Sequence, residues 1–184
     1  ASSKGSKKQI IYAEIYALYE SFLSTTNLLD FPRMVQKAVE ALESDIESKG
    51  NFFKKFQHVL VDEYQDINFS QKILIDLFVS GGAELWVVGD DLQSIYGWRG
   101  SDIRYILNFQ RDYADAKVVQ LERNYRSSAH ILQLANNLSQ FFLEKYPKNL
   151  KNERSLDGEV YLETAANFTA EAKSIVAEVK KQIN

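Results

Sequence analysis

The stretch Gln57–Asp66, which reads QHVLVDEYQD, decides the fold. Val59–Val61 is a short apolar run rich in β-branched residues, and it predicts a strand buried in a parallel sheet. Asp62 and Glu63 follow this run directly, at the edge of the sheet where open α/β proteins bind ligands. In an extended segment the two carboxylates point in different directions, so one could hold Mg²⁺ while the other positions or deprotonates a water. An isolated Asp-Glu pair is more often a helix cap, so the rest of the chain has to decide.

Two predicted helices precede this strand. Apolar residues recur at helical spacing over Gln9–Ser24 and over Phe31–Glu47, and Asp30 is placed as the N-cap of the second helix. Residues 1–8 are small, polar and basic, which is typical of a disordered leader or of the remnant of a cut linker.

Beyond the first strand, strand patterns and helix patterns alternate. Further strands are predicted at Leu85–Val88, Lys117–Leu121 and Glu159–Glu163. Helices are predicted at Phe69–Val79 with Asn68 as its cap, at Asp102–Asp112, from Ser127 or Ser128 to Lys145, and at Thr169–Ile183. This alternation predicts an α/β fold, a mostly parallel sheet flanked by helices and preceded by the two N-terminal helices.

The composition excludes several classes of protein. A length of 184 residues is enough for one domain, or for one domain and part of another. The net charge of -3 argues against binding nucleic acid through bulk positive charge, so any such contact should be confined to a local groove. The absence of cysteine excludes disulfides and thiolate metal sites. Since no apolar run approaches the ~18 residues of a membrane span, we expect no membrane partner and a cytoplasmic location.

A second polar segment follows the second predicted strand, at Val88–Asp102, VGDDLQSIYGWRGSD. Gln93 carries an amide that both donates and accepts hydrogen bonds, which suits a group that senses a phosphate and a water together. Tyr96 and Trp98 are large rings in a loop flanked by glycines, where they could stack on unpaired bases. Packing in a core is the more common role for such a pair taken alone.

A third polar segment, LERNYRSS at Leu121–Ser128, follows the third predicted strand. Arg126 lies just ahead of a predicted helix, where its guanidinium could reach a phosphoryl group. Tyr125 offers a ring face to a base. A single arginine of this kind is more often a partner in a surface ion pair.

Together the three segments resemble motifs II, III and IV of the UvrD/Rep/PcrA-type DNA helicases of superfamily 1, in the same order and at similar spacing. The resemblance implies an incomplete RecA-like sheet of the P-loop NTPase fold. It also implies that residues 9–50 are helices from the end of subdomain 1B, that residues 51–122 are the second part of subdomain 1A, and that residues 123–184 hold motif IV and the start of subdomain 2A.

The resemblance assigns nucleotide chemistry to five residues. Asp62 would hold Mg²⁺ and Glu63 would be the catalytic base for ATP hydrolysis. Gln93 would report the γ-phosphate to the DNA site. Tyr125 would stack on adenine, and Arg126 would contact the γ-phosphate as an arginine finger.

The resemblance also assigns three residues to DNA. Tyr96 and Trp98 match the residues that pack against single-stranded bases. Arg99 matches the motif III arginine that couples the nucleotide site to the DNA site. One loop would then contact DNA through the rings of Tyr96 and Trp98 and contact the nucleotide through Gln93. ATP hydrolysis could therefore change the affinity for DNA.

One part of the family pattern is missing. The phosphate-binding P-loop ends in Gly-Lys-[ST], and none of the eight glycines here is followed by lysine. We therefore expect a fragment of an ATP-dependent helicase motor, inactive alone and completed by a P-loop segment of the parent chain. The parent would translocate 3′ to 5′ on single-stranded DNA and open duplex junctions in repair or replication. The alternatives are a non-catalytic helicase-like module that binds DNA or protein, and the motor portion of a helicase-nuclease.

Overall fold

The computed structural model describes residues 7–44, 52–154 and 158–183. The chain divides into two compact units, one through Ala116 and one from Lys117 onward. Of the predicted leader, residues 1–6 lie outside the described residues, whereas Lys7 and Lys8 are helical, which corrects that part of the prediction.

The first unit begins with the two predicted helices, α1 (Lys7–Thr26) and α2 (Phe31–Ser44). The predicted cap is confirmed, since Oδ1 of Asp30 accepts a hydrogen bond from the backbone N–H of Arg33 at 2.8 Å. The hydroxyl of Tyr19 donates to the other oxygen of Asp30 at 2.7 Å, which ties the two helices together. The predicted end of the second helix at Glu47 lies outside the described residues.

A β-α-β unit follows, made of β1 (His58–Val61), α3 (Phe69–Ser80) and β2 (Glu84–Val87). The two strands pair in parallel with Val61 opposite Val87, as the sequence predicted. The first strand is not fully buried, however. Leu60 and Trp86 pair on one face of the sheet with 78% and 63% of their surface exposed, because the described residues cover only the other face.

Helix α3 begins at the predicted capping residue. The side chain of Asn68 accepts from the backbone N–H of Gln71, and the Gln71 side chain accepts from the backbone N–H of Asn68. This reciprocal pair satisfies two N–H groups that the first turn would leave without partners.

A core cluster joins α2 to α3. It is built on Val39, Phe53 and Leu77, with the partly buried Leu42, Ile73, Leu74 and Phe78 packed against it. The rings of Phe53 and Phe78 meet edge to face with their centroids 5.0 Å apart, a favoured aromatic geometry. This packing holds the β-α-β unit against the N-terminal helix pair.

A second buried group lies under the end of β1. The Tyr64 ring is fully buried and meets the Phe109 ring edge to face, with centroids 5.4 Å apart. Phe109 lies on α5 (Phe109–Asp112), which follows α4 (Arg104–Leu107). The single helix predicted at Asp102–Asp112 is therefore wrong. It breaks at Asn108 (φ −97°, ψ 12°), a residue type that competes with helical backbone bonds.

In the second unit the predicted strand at Lys117–Leu121 is also wrong. Val119 and Leu121 are about four-fifths exposed, and no described residue forms a ladder with this segment. The strands are instead β3 (Arg123–Asn124) and β4 (Lys151–Asn152), which pair in parallel. An apolar run alone does not make a strand, because the ladder needs a partner.

The remaining elements of this unit are helical. Helix α6 (Ala129–Ser139) ends six residues before the predicted Lys145, whose ammonium donates to the carbonyl of Ser139 and closes the last turn. The predicted strand Glu159–Glu163 has no ladder partner among the described residues and is not a strand. Helix α7 (Phe168–Ile183) agrees with the prediction to within one residue at its start.

Candidate functional site

The acid pair lies at the carboxyl end of β1, and both residues are exposed. The backbone is not extended there, which corrects the expectation. Glu63 is left-handed (φ 51°, ψ 44°), a conformation that a non-glycine residue rarely adopts and that costs about 1 kcal/mol or more. Oδ1 of Asp62 accepts from the backbone N–H of Glu63 at 2.9 Å. The chain therefore turns at the acid pair instead of continuing β1 as an extended strand.

Sequence reasoning missed the residue that holds this turn, Gln65. Its side chain is nearly fully buried, and its amide nitrogen donates to Oε2 of Glu63 at 2.8 Å. Its amide oxygen accepts from the backbone N–H of Asp90 at 3.0 Å. Its carbonyl accepts from the hydroxyl of Ser94 at 3.2 Å. Gln65 thus joins the acid pair to the loop that follows β2.

The approach of the two loops depends on Gly89. A Cβ at this position would lie 2.7 Å from Oε1 of Gln65 and 2.9 Å from Cδ1 of Ile106. Beside it the backbone N–H of Tyr64 donates to the carbonyl of Val88 at 2.9 Å. The glycine directly after the second strand was the sequence signal that could have indicated this contact.

Gln93 lies in the same loop. Its amide nitrogen donates to Oδ2 of Asp90 at 2.9 Å, and Oδ1 of Asp90 accepts from the backbone N–H of Leu92 at 3.1 Å. Because the N–H of Asp90 donates to Gln65, a continuous path runs from Gln93 through Asp90 and Gln65 to Glu63. Two of the predicted site residues are therefore linked.

The loop continues into the predicted aromatic pair. The centroids of Tyr96 and Trp98 are 6.5 Å apart, and the guanidinium carbon of Arg99 lies 5.1 Å and 4.6 Å from them. Trp98 is 75% exposed, so these rings are not core residues. The turn ends at Gly100, whose φ of 87° is accessible to glycine at no steric cost. The three residues form one exposed cluster with a cation on two ring faces.

The last two predicted residues lie in the second unit. Tyr125 is exposed, as is Arg126. Oδ1 of Asn124 accepts from the N–H groups of Arg126 and Ser127 at 2.9 and 2.8 Å, and this turn leads toward α6. A guanidinium N–H of Arg154 donates to the carbonyl of Arg126 at 3.0 Å. Both residues are thus presented on a turn that hydrogen bonds define.

Two tyrosines of the first unit are withdrawn from solvent, since Tyr64 is fully buried and Tyr113 is half-buried. Burial raises the pKa of Tyr64 to about 12. Burial also raises the pKa of Tyr113, whose hydroxyl donates to Asp76 at 2.5 Å. Lys72 pairs with the same carboxylate at 2.7 Å. The contacts with Asp76 fasten α3 to the residue that follows α5.

Asp62 is the residue that fits a magnesium ion. It is exposed, and one of its oxygens is engaged by the N–H of Glu63. Within the described ranges, no three His, Cys, Asp or Glu side chains are grouped to hold a metal. A single carboxylate suits Mg²⁺, which usually keeps several waters and binds with substrate phosphates. The donor set is thus compatible with magnesium bound together with a nucleotide.

Comparison with known proteins identifies the family of this chain. The model of the UvrD/REP helicase N-terminal domain matches residues 1–114. The chain belongs to this helicase family. It is 39% identical over 169 residues to the ATP-dependent DNA helicase PcrA of Staphylococcus epidermidis, and 38% identical to that of Staphylococcus aureus (strain Mu50). The match covers 92% of this helicase-family chain and 23% of each relative, so the chain spans about a quarter of their length.

The mixed helices and small parallel sheets are compatible with such a helicase domain. In the part of the chain that the structure describes, no helix is both long enough and apolar enough to cross a membrane.

Proposed function

We propose that the full-length protein containing this chain is a DNA helicase motor that couples ATP hydrolysis to movement along single-stranded DNA. The observation that carries the proposal is the hydrogen-bonded path from Glu63 to Gln93, on a loop that also holds Tyr96 and Trp98. The loop would carry both an amide that senses the nucleotide and two exposed rings that bind DNA. Such an arrangement allows ATP hydrolysis to change the affinity for DNA.

The acid pair would perform the chemistry. Asp62 would hold Mg²⁺, and the ion would neutralise charge on the phosphates. Glu63 would orient the attacking water and accept its proton, while Gln93 would contact the γ-phosphate. Tyr125 would stack on adenine and Arg126 would stabilise the charge that develops on the transferred group.

Two further assignments concern the fold. We propose that β1 and β2 are part of a larger RecA-like sheet, because Leu60 and Trp86 leave an apolar face exposed on a parallel pair and parallel sheets are normally covered on both faces. Residues 9–50 would belong to subdomain 1B, residues 51–122 to subdomain 1A and residues 123–184 to the start of subdomain 2A. These boundaries rest on the family resemblance.

Polarity and pathway also rest on the family. We propose movement from 3′ to 5′, opening of duplex junctions, and a role in repair or replication in the cytoplasm. The 184 residues alone should not hydrolyse ATP, because none of their glycines is followed by the lysine of a P-loop. DNA-stimulated ATP turnover by the purified 184-residue chain would contradict this.

Two substitutions in the full-length protein test the central proposal. Glu63→Gln should lower the rate of ATP hydrolysis by about 100-fold or more, as expected for loss of a general base, and should leave DNA binding intact. Trp98→Ala should weaken binding of single-stranded DNA by about 1 to 3 kcal/mol, the contribution of one stacked base. Ile95→Ala removes another exposed apolar side chain of the loop and is the matched control.

The outcomes separate the alternatives. Normal turnover in Glu63→Gln would show that the acid pair is not catalytic and would favour a non-catalytic DNA- or protein-binding module. Equal losses of DNA affinity in Trp98→Ala and Ile95→Ala would show that the ring is not a stacking surface.

A further inference from the structure

Gln65 occupies a place that no sequence pattern had assigned. Its side chain is 1% exposed, yet both ends of its amide are engaged. The amide nitrogen donates to Glu63 at 2.8 Å and lies 3.4 Å from Oδ2 of Asp66. The amide oxygen faces the N–H of Asp90 at 3.0 Å.

These surroundings permit one orientation of the amide. Two carboxylates face its NH₂ end, and a backbone N–H faces its oxygen. Reversing the amide would set its oxygen against Glu63 and Asp66 and its NH₂ against another donor. The donor that meets Oε2 of Glu63 is therefore fixed by its neighbours.

A fixed donor matters because Glu63 is exposed. An exposed glutamate samples several rotamers, whereas a base must hold its oxygen within a fraction of an ångström of the productive position. The left-handed backbone of Glu63 aims the side chain, and the bond from Gln65 restrains its tip. The two restraints together define where the carboxylate lies.

We propose that Gln65 is a positioning residue for ATP hydrolysis, holding the Glu63 carboxylate and connecting it to the loop of Gln93 through the N–H of Asp90. The inference rests on the proposed function, since it gives Glu63 the role of base. It adds that a movement of the loop after β2 would shift the Glu63 carboxylate through the buried amide of Gln65.

Gln65→Leu in the full-length protein removes the amide and keeps most of the side-chain volume. The kcat for ATP hydrolysis should fall about 10- to 100-fold, because misplacing a reacting group by about 1 Å costs that much. The KM for ATP and the affinity for a non-hydrolysable ATP analogue should stay unchanged. A purely structural role for Gln65 would instead disturb nucleotide binding and stability together.

Gln65→Glu is the second variant, and it keeps an oxygen that accepts from Asp90. The introduced carboxyl can restrain Glu63 only while it carries a proton, since two carboxylates this close share one. Its kcat should therefore fall with rising pH across a range where the wild-type rate is level. Ser80→Ala is the matched control, because it removes a serine hydroxyl that donates to a backbone carbonyl, that of Leu77, at the end of α3 and outside the site; its kcat and pH profile should be those of the wild type.

The inference is overturned if Gln65→Leu keeps the wild-type kcat, or if the pH profile of Gln65→Glu superimposes on that of the wild type. Glu63→Gln is measured alongside. If Glu63→Gln is inactive while both Gln65 variants behave as wild type, the proposed function stands and the inference alone fails. If Glu63→Gln is active, both are wrong.

Discussion

Gly89 gives a direct test of how closely the two loops of the site approach. In Gly89→Ala the added Cβ would meet Oε1 of Gln65 at 2.7 Å, Cδ1 of Ile106 at 2.9 Å and the backbone nitrogen of Tyr64 at 3.2 Å. Ordinary van der Waals contact begins at 3.4 Å. The Tyr64 nitrogen is bonded to Val88 and the Gln65 amide is bonded at both ends, so neither of these two groups can simply move aside.

The expected cost follows from these contacts. Overpacking by one methyl group in a tight site costs about 1 to 3 kcal/mol. Loss of the bond between Gln65 and the N–H of Asp90 adds about 1 kcal/mol. Replacing glycine by alanine reduces the conformational entropy of the unfolded chain, which raises the free energy of unfolding by about 0.4 to 1 kcal/mol. Gly89→Ala should therefore lower the free energy of unfolding by about 1 to 4 kcal/mol.

Gly97→Ala is the matched control, because a Cβ at Gly97 meets nothing within 4 Å. Its free energy of unfolding should be unchanged, or higher by up to about 1 kcal/mol. Urea unfolding of the 184-residue chain, followed by circular dichroism, gives both values if the two slopes agree. Equal stabilities of the two variants would refute the close approach at Gly89 and the buried position of the Gln65 amide.

Three further predictions concern neighbouring residues. Glu63→Asn should have a free energy of unfolding in urea about 1 kcal/mol higher than Glu63→Ala, because both variants lose the bond from Gln65 but only asparagine tolerates the left-handed region. Tyr64 has a pKa of about 12 in the folded chain, whereas a tyrosine of the unfolded chain has a pKa of about 10. The free energy of unfolding should therefore fall by about 2 to 3 kcal/mol from pH 10 to pH 12, because over this range the unfolded chain ionises more readily than the folded one. Tyr64→Phe should remove this part of the slope. Asn68→Ala should lower the free energy of thermal unfolding by about 1 kcal/mol, because the N-cap of α3 is lost. Asn68→Ser should largely retain the cap and the stability.

Each has a contrary outcome. Equal stabilities of Glu63→Asn and Glu63→Ala would show that the left-handed backbone at Glu63 has no measurable cost. Identical alkaline slopes in the wild type and in Tyr64→Phe would exclude Tyr64 as the group that titrates. Equal stability of the alanine and serine variants at Asn68 would mean that the cap does not stabilise α3.

The elements that the sequence predicted well are those whose signals are local. Helix α3 is specified by Asn68 and Gln71, three residues apart, and by an apolar face on the following turns. The parallel pairing of β1 with β2 follows from two short apolar runs joined by one helix. In both cases the signal is a pattern of residue types along the chain, which can be read without knowing which side chains meet in the fold.

The predictions that failed depend on partners. The run at Lys117–Leu121 has a strand composition, yet the neighbouring segment Arg123–Asn124 forms the ladder because Lys151–Asn152 pairs with it. The left-handed backbone of Glu63 could not be predicted from the sequence for a similar reason. No propensity favours that conformation in glutamate, and it is held by contacts with Asp62 and Gln65.

Gln65 is a site residue that the sequence did not predict. Reading each polar residue by its own chemistry singled out carboxylates, rings, Arg126 and the amide of Gln93, whereas nothing in the sequence shows what the amide of Gln65 faces. Its proposed role depends on the N–H of a residue 25 positions away and on the absence of a side chain at Gly89. A glycine close behind a strand, at a position whose own φ is not positive, indicates that another part of the chain comes close. Asking which polar side chain needs that space would have led to Gln65, and through Gln65 to the connection between Glu63 and the loop that carries Gln93.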